Sequence, residues 1–199
     1  MWRLLADDMR SPASGSVCGL DEVGRGALAG PLVAAAVVLP DGFTHPLLRD
    51  SKRLSPAQRE RLEPVIREAA AQLILVEVGC QEIDRGGVGW ANRHALERLL
   101  AEVVADHYLV DGNLRLATPR PYRSVIGGDD LVPAISAASI VAKVHRDRLM
   151  RELARECPGY FWEANKGYGS PAHLRALSEL GPSPHHRLTF LHRQDALPF

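Results

Sequence analysis

Cysteine is scarce in this chain: Cys18, Cys80 and Cys157 are the only three in 199 residues. They are too few and too scattered for a disulfide framework or a zinc site. Cys18 and Cys80 lie in apolar, strand-like runs and read as core thiols, which fits a reducing compartment. Net charge is missing as well, with 24 Lys and Arg against 24 Asp and Glu. That balance argues against a protein that grips nucleic acid by bulk charge. No apolar run reaches membrane-spanning length, and the N-terminal "MWRLLADDMR" is too short and too acidic for a signal peptide. We therefore expect a cytoplasmic protein with no membrane partner. Internal repeats, low-complexity segments, a G-x-S-x-G elbow, a Walker loop and a paired-histidine metal motif are all lacking.

What is present describes an ordinary globular chain, 46% hydrophobic and 24% charged, of a length that fits one domain or a domain with a small appendage. Charge is unevenly spread. From Ala134 onward nine Lys and Arg face six Asp and Glu, and five of the eight histidines lie there. Residues 16–22 and 32–39 read as buried strands joined by a glycine-rich turn. Ser55, Pro56 and Gln58 mark the start of a helix with a capping box, and Pro64 should kink or break it. Leu62, Val65, Ile66, Ala69 and Ala70 make its apolar face. "QLILVEVGC" is a third strand. A second helix carries the stripe Leu96, Leu99, Leu100, Val103 and Val104. "YLVDGN" and "YRSVIGG" are short strands, "PAISAASIVAKVHRDRLMRELAREC" is a long helix, and "ANKGYGS" is a loop before a short helix and a tail rich in Pro and His. The mixture predicts an α/β fold, a mixed sheet with helices on both faces.

Two adjacent acids, Asp21 and Glu22, stand at the mouth of a buried element, where uncompensated charge is costly. On a regular strand they point to opposite faces, so a strand ending at Glu22 would let the turn redirect it. Asp111 offers a third carboxylate at a strand end, and Asp129 or Asp130 a fourth. Oxygen-only clusters suit hard cations such as Mg²⁺ or Mn²⁺. Each acid alone reads more readily as a turn residue or an N-cap, and only their joint placement at strand ends shifts that reading. Gly24, Arg25 and Gly26 allow close backbone approach to a ligand, or simply form a turn. Lys52 could contact phosphate or cover a helix start. Tyr168, between glycines, could stack on a sugar or base, or pack its own loop. His185 and His186 fit a catalytic role or a polar tail. Lys143, Arg146, Arg148, Arg151 and Arg155 fit a phosphate track, or a solvated face paired with Asp147, Glu152 and Glu156.

Taken together, "GLDEVGRGALAGPLVAAAVVL", "DSKRLS", "VDG", "GDDLVPAISAASIVAKVHRDRLM", "NKGYGS" and "LGPSPHHR" resemble the type 2 ribonucleases H in order and spacing, most closely the bacterial ribonuclease HII family. The resemblance runs from about Val17 to Arg187. It implies an RNase H-like fold with a five-stranded mixed sheet flanked by helices and a helical C-terminal part. One catalytic domain over 1–199 follows, with its core at about 16–160, and with the loop, helix and tail at about 161–199 adding to substrate binding. The implied activity is endonucleolytic: hydrolysis of the RNA strand of RNA–DNA hybrids, and incision 5′ to single ribonucleotides in duplex DNA, leaving 3′-hydroxyl and 5′-phosphate ends. By motif, Asp21, Glu22, Asp111 and Asp129 are the catalytic acids and hold Mg²⁺ or Mn²⁺. Gly24, Arg25 and Gly26 match the turn that reads the ribose 2′-hydroxyl, Tyr168 matches the stacking tyrosine, and Lys52 joins them in substrate binding. The resemblance also implies a monomer. Gly127 stands where the family usually has lysine, Asn165 where it has histidine, and Gly87 where many members have asparagine. A DNA nuclease of the same superfamily, or a catalytically quiet nucleic-acid binder, remain the competing readings.

Overall fold

A computed structural model describes residues 15–43, 45–48 and 54–191. Five strands form one sheet: β1 (Val17–Val23), β2 (Leu32–Leu39), β3 (Gln72–Val78), β4 (His107–Asp111) and β5 (Arg123–Val125). Their spatial order is β3-β2-β1-β4-β5. β1 pairs antiparallel with β2, and β2 with β3, whereas β1–β4 and β4–β5 are parallel. The sheet is therefore mixed, as the sequence predicts.

Every residue of β2 is buried, which identifies it as a strand covered on both faces. Val33, Ala35, Val37 and Leu39 enter one core, packed beneath helices α1 (Pro56–Ala69) and α5 (Pro133–Glu156). Leu32, Ala34, Ala36 and Val38 enter a second core with α2 (Cys80–Gly86) and α3 (Val88–Glu102). Between β5 and α5 lies one turn, α4 (Gly128–Leu131). The C-terminal part adds α6 (Trp162–Asn165), α7 (Pro171–Leu180) and α8 (Leu188–Leu191). A third cluster, with Ala29, Met150, Tyr160, Trp162 and Ala176, packs this part against α5.

Several local expectations are met and several are corrected. The capping box forms: Gln58 N donates to Ser55 Oγ at 3.3 Å, and Ser55 N to Gln58 Oε1 at 2.8 Å. α1 nevertheless runs unbroken through Pro64. Pro64 is exposed, so the carbonyl deprived of its donor can turn to water. Val65 is 40% exposed and Val104 63% exposed, so each lies outside the stripe assigned to it. β1 does not end at Glu22, because Asp21, Glu22 and Val23 are all still paired with β2. The turn therefore does not redirect Glu22.

Candidate active site

Strand alternation decides where the acids go. Gly19 and Asp21 face α5, whose first turn crosses β1 so closely that a Cβ on Gly19 would lie 2.1 Å from the Ala134 carbonyl carbon. Ser139 and Lys143, one helical turn apart, carry that face of α5 along to Asp21, and Lys143 Nζ donates to Ser139 Oγ at 2.5 Å. Asp21 is 6% exposed, and its Oδ1 accepts from Glu22 N at 2.7 Å. Burial, followed by the charges of Glu22 and Asp111, pushes its carboxyl up to about 7 against the Ser139 hydroxyl and the Lys143 ammonium.

Glu22 takes the opposite face, toward α3. Its Oε1 accepts from Asn92 Nδ2 at 3.1 Å and from Arg25 NH1 at 3.4 Å. Burial raises its carboxyl, Arg25 and Asn92 pull it down, and Asp111 raises it further. The parallel register Leu20↔Val110 brings Asp111 to the same end of the sheet as Asp21. Asp111 Oδ1 accepts from Gly128 N at 2.7 Å, and the next residue, Asp129, is buried in the first turn of α4. Asp130 is exposed. Among the described residues, no three Asp, Glu, His or Cys side chains close on one point as a metal site. Asp21, Glu22 and Asp111 are each held by a hydrogen bond within the protein and share a common electrostatic field.

The glycine-rich turn leaves the same end of β1 and is stitched to the tyrosine loop. Leu28 N and Ala29 N both donate to Gly167 O, at 2.8 and 3.2 Å. Gly24 has φ +93°, and a Cβ there would meet Arg146 Nε at 2.3 Å. The fold itself thus requires that glycine. Gly26 differs: it is exposed, with nothing within 4 Å of a Cβ position. Arg25 is exposed beside Glu22. On the loop, Gly167 N donates to Asn165 Oδ1 at 2.8 Å, and Asn165 Nδ2 donates to Tyr160 O at 2.7 Å. Tyr168 is 40% exposed, with the Arg146 guanidinium 5.3 Å from its ring centroid. Lys52 lies outside the described residues.

Sequence reasoning missed a layer beneath these loops. Arg146 is buried, and its donors go to backbone carbonyls. Arg148 pairs with Glu63 at 2.9 Å and Arg151 with Glu60 at 2.7 Å, so their partners sit on α1 and not on their own helix. The available signal was spacing, because Ser139, Lys143, Arg146 and Met150 recur on one face of α5. His186 is buried rather than part of a loose tail. Ser183 N donates to its Nδ1 at 2.9 Å, which leaves the proton on Nε2, 3.0 Å from His173 Nε2. His173 Nε2 also accepts from Trp162 Nε1 at 3.0 Å, so its own proton is on Nδ1, donated to Tyr168 O at 2.9 Å. Both rings are held neutral.

Comparison with known proteins agrees with this architecture. The family described as Ribonuclease HII matches residues 18–195. Ribonuclease HII of Porphyromonas gingivalis is 45% identical over 191 residues, covering 94% of this chain and 92% of that protein. The crystal structure of ribonuclease H2 from Pyrococcus horikoshii superposes with a TM-score of 0.75 at 24% identity, over 91% of this chain and 97% of that one. Bst-RNase HIII, solved in complex with Mn²⁺, gives 0.63 at 20% identity, over 91% and 68% of the two chains. A mixed five-stranded sheet, carboxylates gathered at one end of two parallel strands and a matching sequence along nearly the whole length converge: the chain belongs to the ribonuclease HII family.

Proposed function

We propose that this chain hydrolyses the RNA strand of RNA–DNA hybrids and cuts 5′ to single ribonucleotides in duplex DNA, leaving 3′-hydroxyl and 5′-phosphate ends. The observation that carries the reading is the shared field of Asp21, Glu22 and Asp111 beside an exposed Gly-Arg-Gly turn. Oxygen donors at one end of the sheet, two of them with raised proton affinity and each raised in part by Asp111, suit a hard divalent cation, which would relieve their repulsion. The buried, unpartnered Asn92 Oδ1 next to Glu22 is a further acceptor at that place. Asp21, Glu22, Asp111 and Asp129 would hold Mg²⁺ or Mn²⁺, and the Mn²⁺ complex of the related RNase HIII supports a metal of that kind. When bound, such a cation activates water and offsets charge on the phosphoryl group.

The chain's own residues supply recognition. Gly26, with open space around it, lets a strand approach the backbone of the turn, and the 2′-hydroxyl is the group that marks a ribonucleotide. Arg25 reaches outward beside Glu22 toward phosphate, and Lys52 adds a second phosphate contact. Tyr168 offers an exposed ring for stacking on the neighbouring sugar. The chain acts as a single catalytic domain and a monomer, in the cytoplasm; no described helix is long and apolar enough to cross a membrane.

The test is Mg²⁺- or Mn²⁺-dependent cleavage of three duplexes: one with a single ribonucleotide, one a long RNA–DNA hybrid, one all DNA. Incision 5′ to the ribonucleotide and along the hybrid, with the DNA duplex intact, is expected. Equal cutting of all three would indicate a general nuclease, and binding without cutting a quiet binder. Either result removes the proposal.

A further inference from the structure

Two guanidinium groups, those of Arg146 on α5 and Arg187 just before α8, are 1% and 0% exposed. Neither is ion-paired with a carboxylate of the described residues; the nearby Asp84 instead accepts from Leu188 N and Thr189 N. Among the described residues, the hydrogen bonds from their guanidinium nitrogens go to main-chain carbonyls. Arg146 reaches Pro31 O at 2.9 Å, Ala29 O at 3.1 Å and Lys166 O at 2.9 Å. Arg187 reaches Gly30 O twice, at 3.0 and 2.8 Å, and Arg25 O at 3.1 Å.

Burying two charges side by side is costly, and neutral residues of like size would fill the space more cheaply. The cost shows in Arg187, which burial and then the neighbouring Arg146 charge bring down to about 10. The carbonyls served belong to two irregular segments that no strand or helix ladder holds. One is the turn that carries Arg25 and Gly26, and the other the loop that carries Tyr168. A planar fork with donors at fixed angles can lock several carbonyls at once, whereas an ammonium acts as a single point. Arg146 binds both segments and also lies under the Tyr168 ring. The glycines of the two segments serve this packing. A Cβ on Gly24 would strike Arg146, and a Cβ on Gly167 would stand 2.4 Å from Ala29 O.

We infer that Arg146 and Arg187 are positioning residues that set the distance and orientation between the Gly-Arg-Gly turn and Tyr168, and through them the selectivity for a ribonucleotide within DNA. This rests on the function proposed above. Neither arginine needs to touch substrate, because a small displacement of a recognition group is enough to weaken discrimination.

The experiment measures equilibrium binding of Arg146→Lys and Arg187→Lys, in buffer with EDTA, to two duplexes that differ by one 2′-hydroxyl. Thermal melting checks the fold of each variant. Wild type should prefer the ribonucleotide duplex. The lysine variants keep the charge, so affinity for plain DNA should change less than about twofold, while the preference falls by about tenfold, a loss within the range that misplacement of a positioned group produces. Folded variants that keep the wild-type preference overturn the inference. So does an equal loss on both duplexes. Two variants that fail to fold overturn it as well, since the arginines would then serve the fold alone. A wild type with no preference would instead count against the proposed function, which its cleavage test examines separately.

Discussion

At Asp21 burial, with the charges of Glu22 and Asp111 behind it, outweighs the Ser139 hydroxyl and the Lys143 ammonium, and the carboxyl keeps its proton up to about 7. In the unfolded chain the same group gives up its proton near 3.8. The folded state therefore binds the extra proton between those values, and metal-free stability falls as pH rises through that window. Asp21→Asn removes the titration while keeping shape. In EDTA at pH 8 the variant should melt higher than wild type, and its melting temperature should depend less on pH between 4 and 8. With metal its cleavage should fall by at least about a hundredfold, the scale of losing one group that stabilises a charged transition state. An unchanged melting curve at pH 8, or near-normal turnover, would count against the metal site. These acids were legible because the sequence places carboxylates at strand ends, where charge needs a reason. Arg146 was not. It sits in a run of charges that reads as a solvated face, and only carbonyls from residues 29–31 and 166 make its burial tolerable.

Among the elements, the contact of α5 with β1 holds the acids in register. Its small residues Ser136, Ala137, Ala138 and Ser139 are all buried, and its first turn meets β1 closely. There Gly19, two positions before Asp21 on the same strand face, lies against Ala134 and Ile135. A Cβ there would overlap backbone, which cannot rotate away as a side chain can. Gly19→Ala should destabilise the fold by about 3 kcal/mol, at the upper end of overpacking costs. Urea denaturation would measure it, and a loss below about 0.5 kcal/mol, the scale of neutral surface changes, would mean that α5 shifts freely. Activity should fall with it, because Asp21 would move relative to Ser139. Strand and helix positions were read well from periodicity, since burial on both faces of β2 and the stripe of α3 leave clear patterns. The edges of those patterns were not. Period defines the direction of a helix face and neither its width nor its end, so Val65 lies beside the apolar face of α1 and Val104 lies past the end of α3 at Glu102. Pro64 was read as a kink or a break, and the helix does not break there, because on the solvent side of α1 its missing donor is tolerated.

Over the whole molecule, the C-terminal part is held together by bonds that require neutral histidines. Burial, and then the neighbouring His173, lower His186 from its ordinary 6.5 to about 4, and burial lowers His173 as well. Charging His186 would put a proton on Nδ1, where Ser183 N already donates. Charging His173 would put one on Nε2, where Trp162 and His186 both donate. The sign follows: the stability of this neutral pair is intact above 6.5, where the unfolded chain is neutral too, and is lost as pH falls from 6.5 toward 4. Asp21 acts in the opposite sense over much of the same range, so the wild-type profile alone does not separate the two. His186→Gln separates them. A glutamine can accept from Ser183 N and donate to His173 without titrating, so the urea midpoint of the variant should fall less between pH 7 and pH 4.5 than that of wild type. Because His173 Nδ1 donates to Tyr168 O, the first region to loosen in wild type should be the tyrosine loop. Hydrogen exchange at residues 165–170 should therefore rise with acid before exchange in β2 does. Parallel profiles for wild type and variant, or exchange that rises everywhere together, would show that the histidine pair does not hold this part of the molecule.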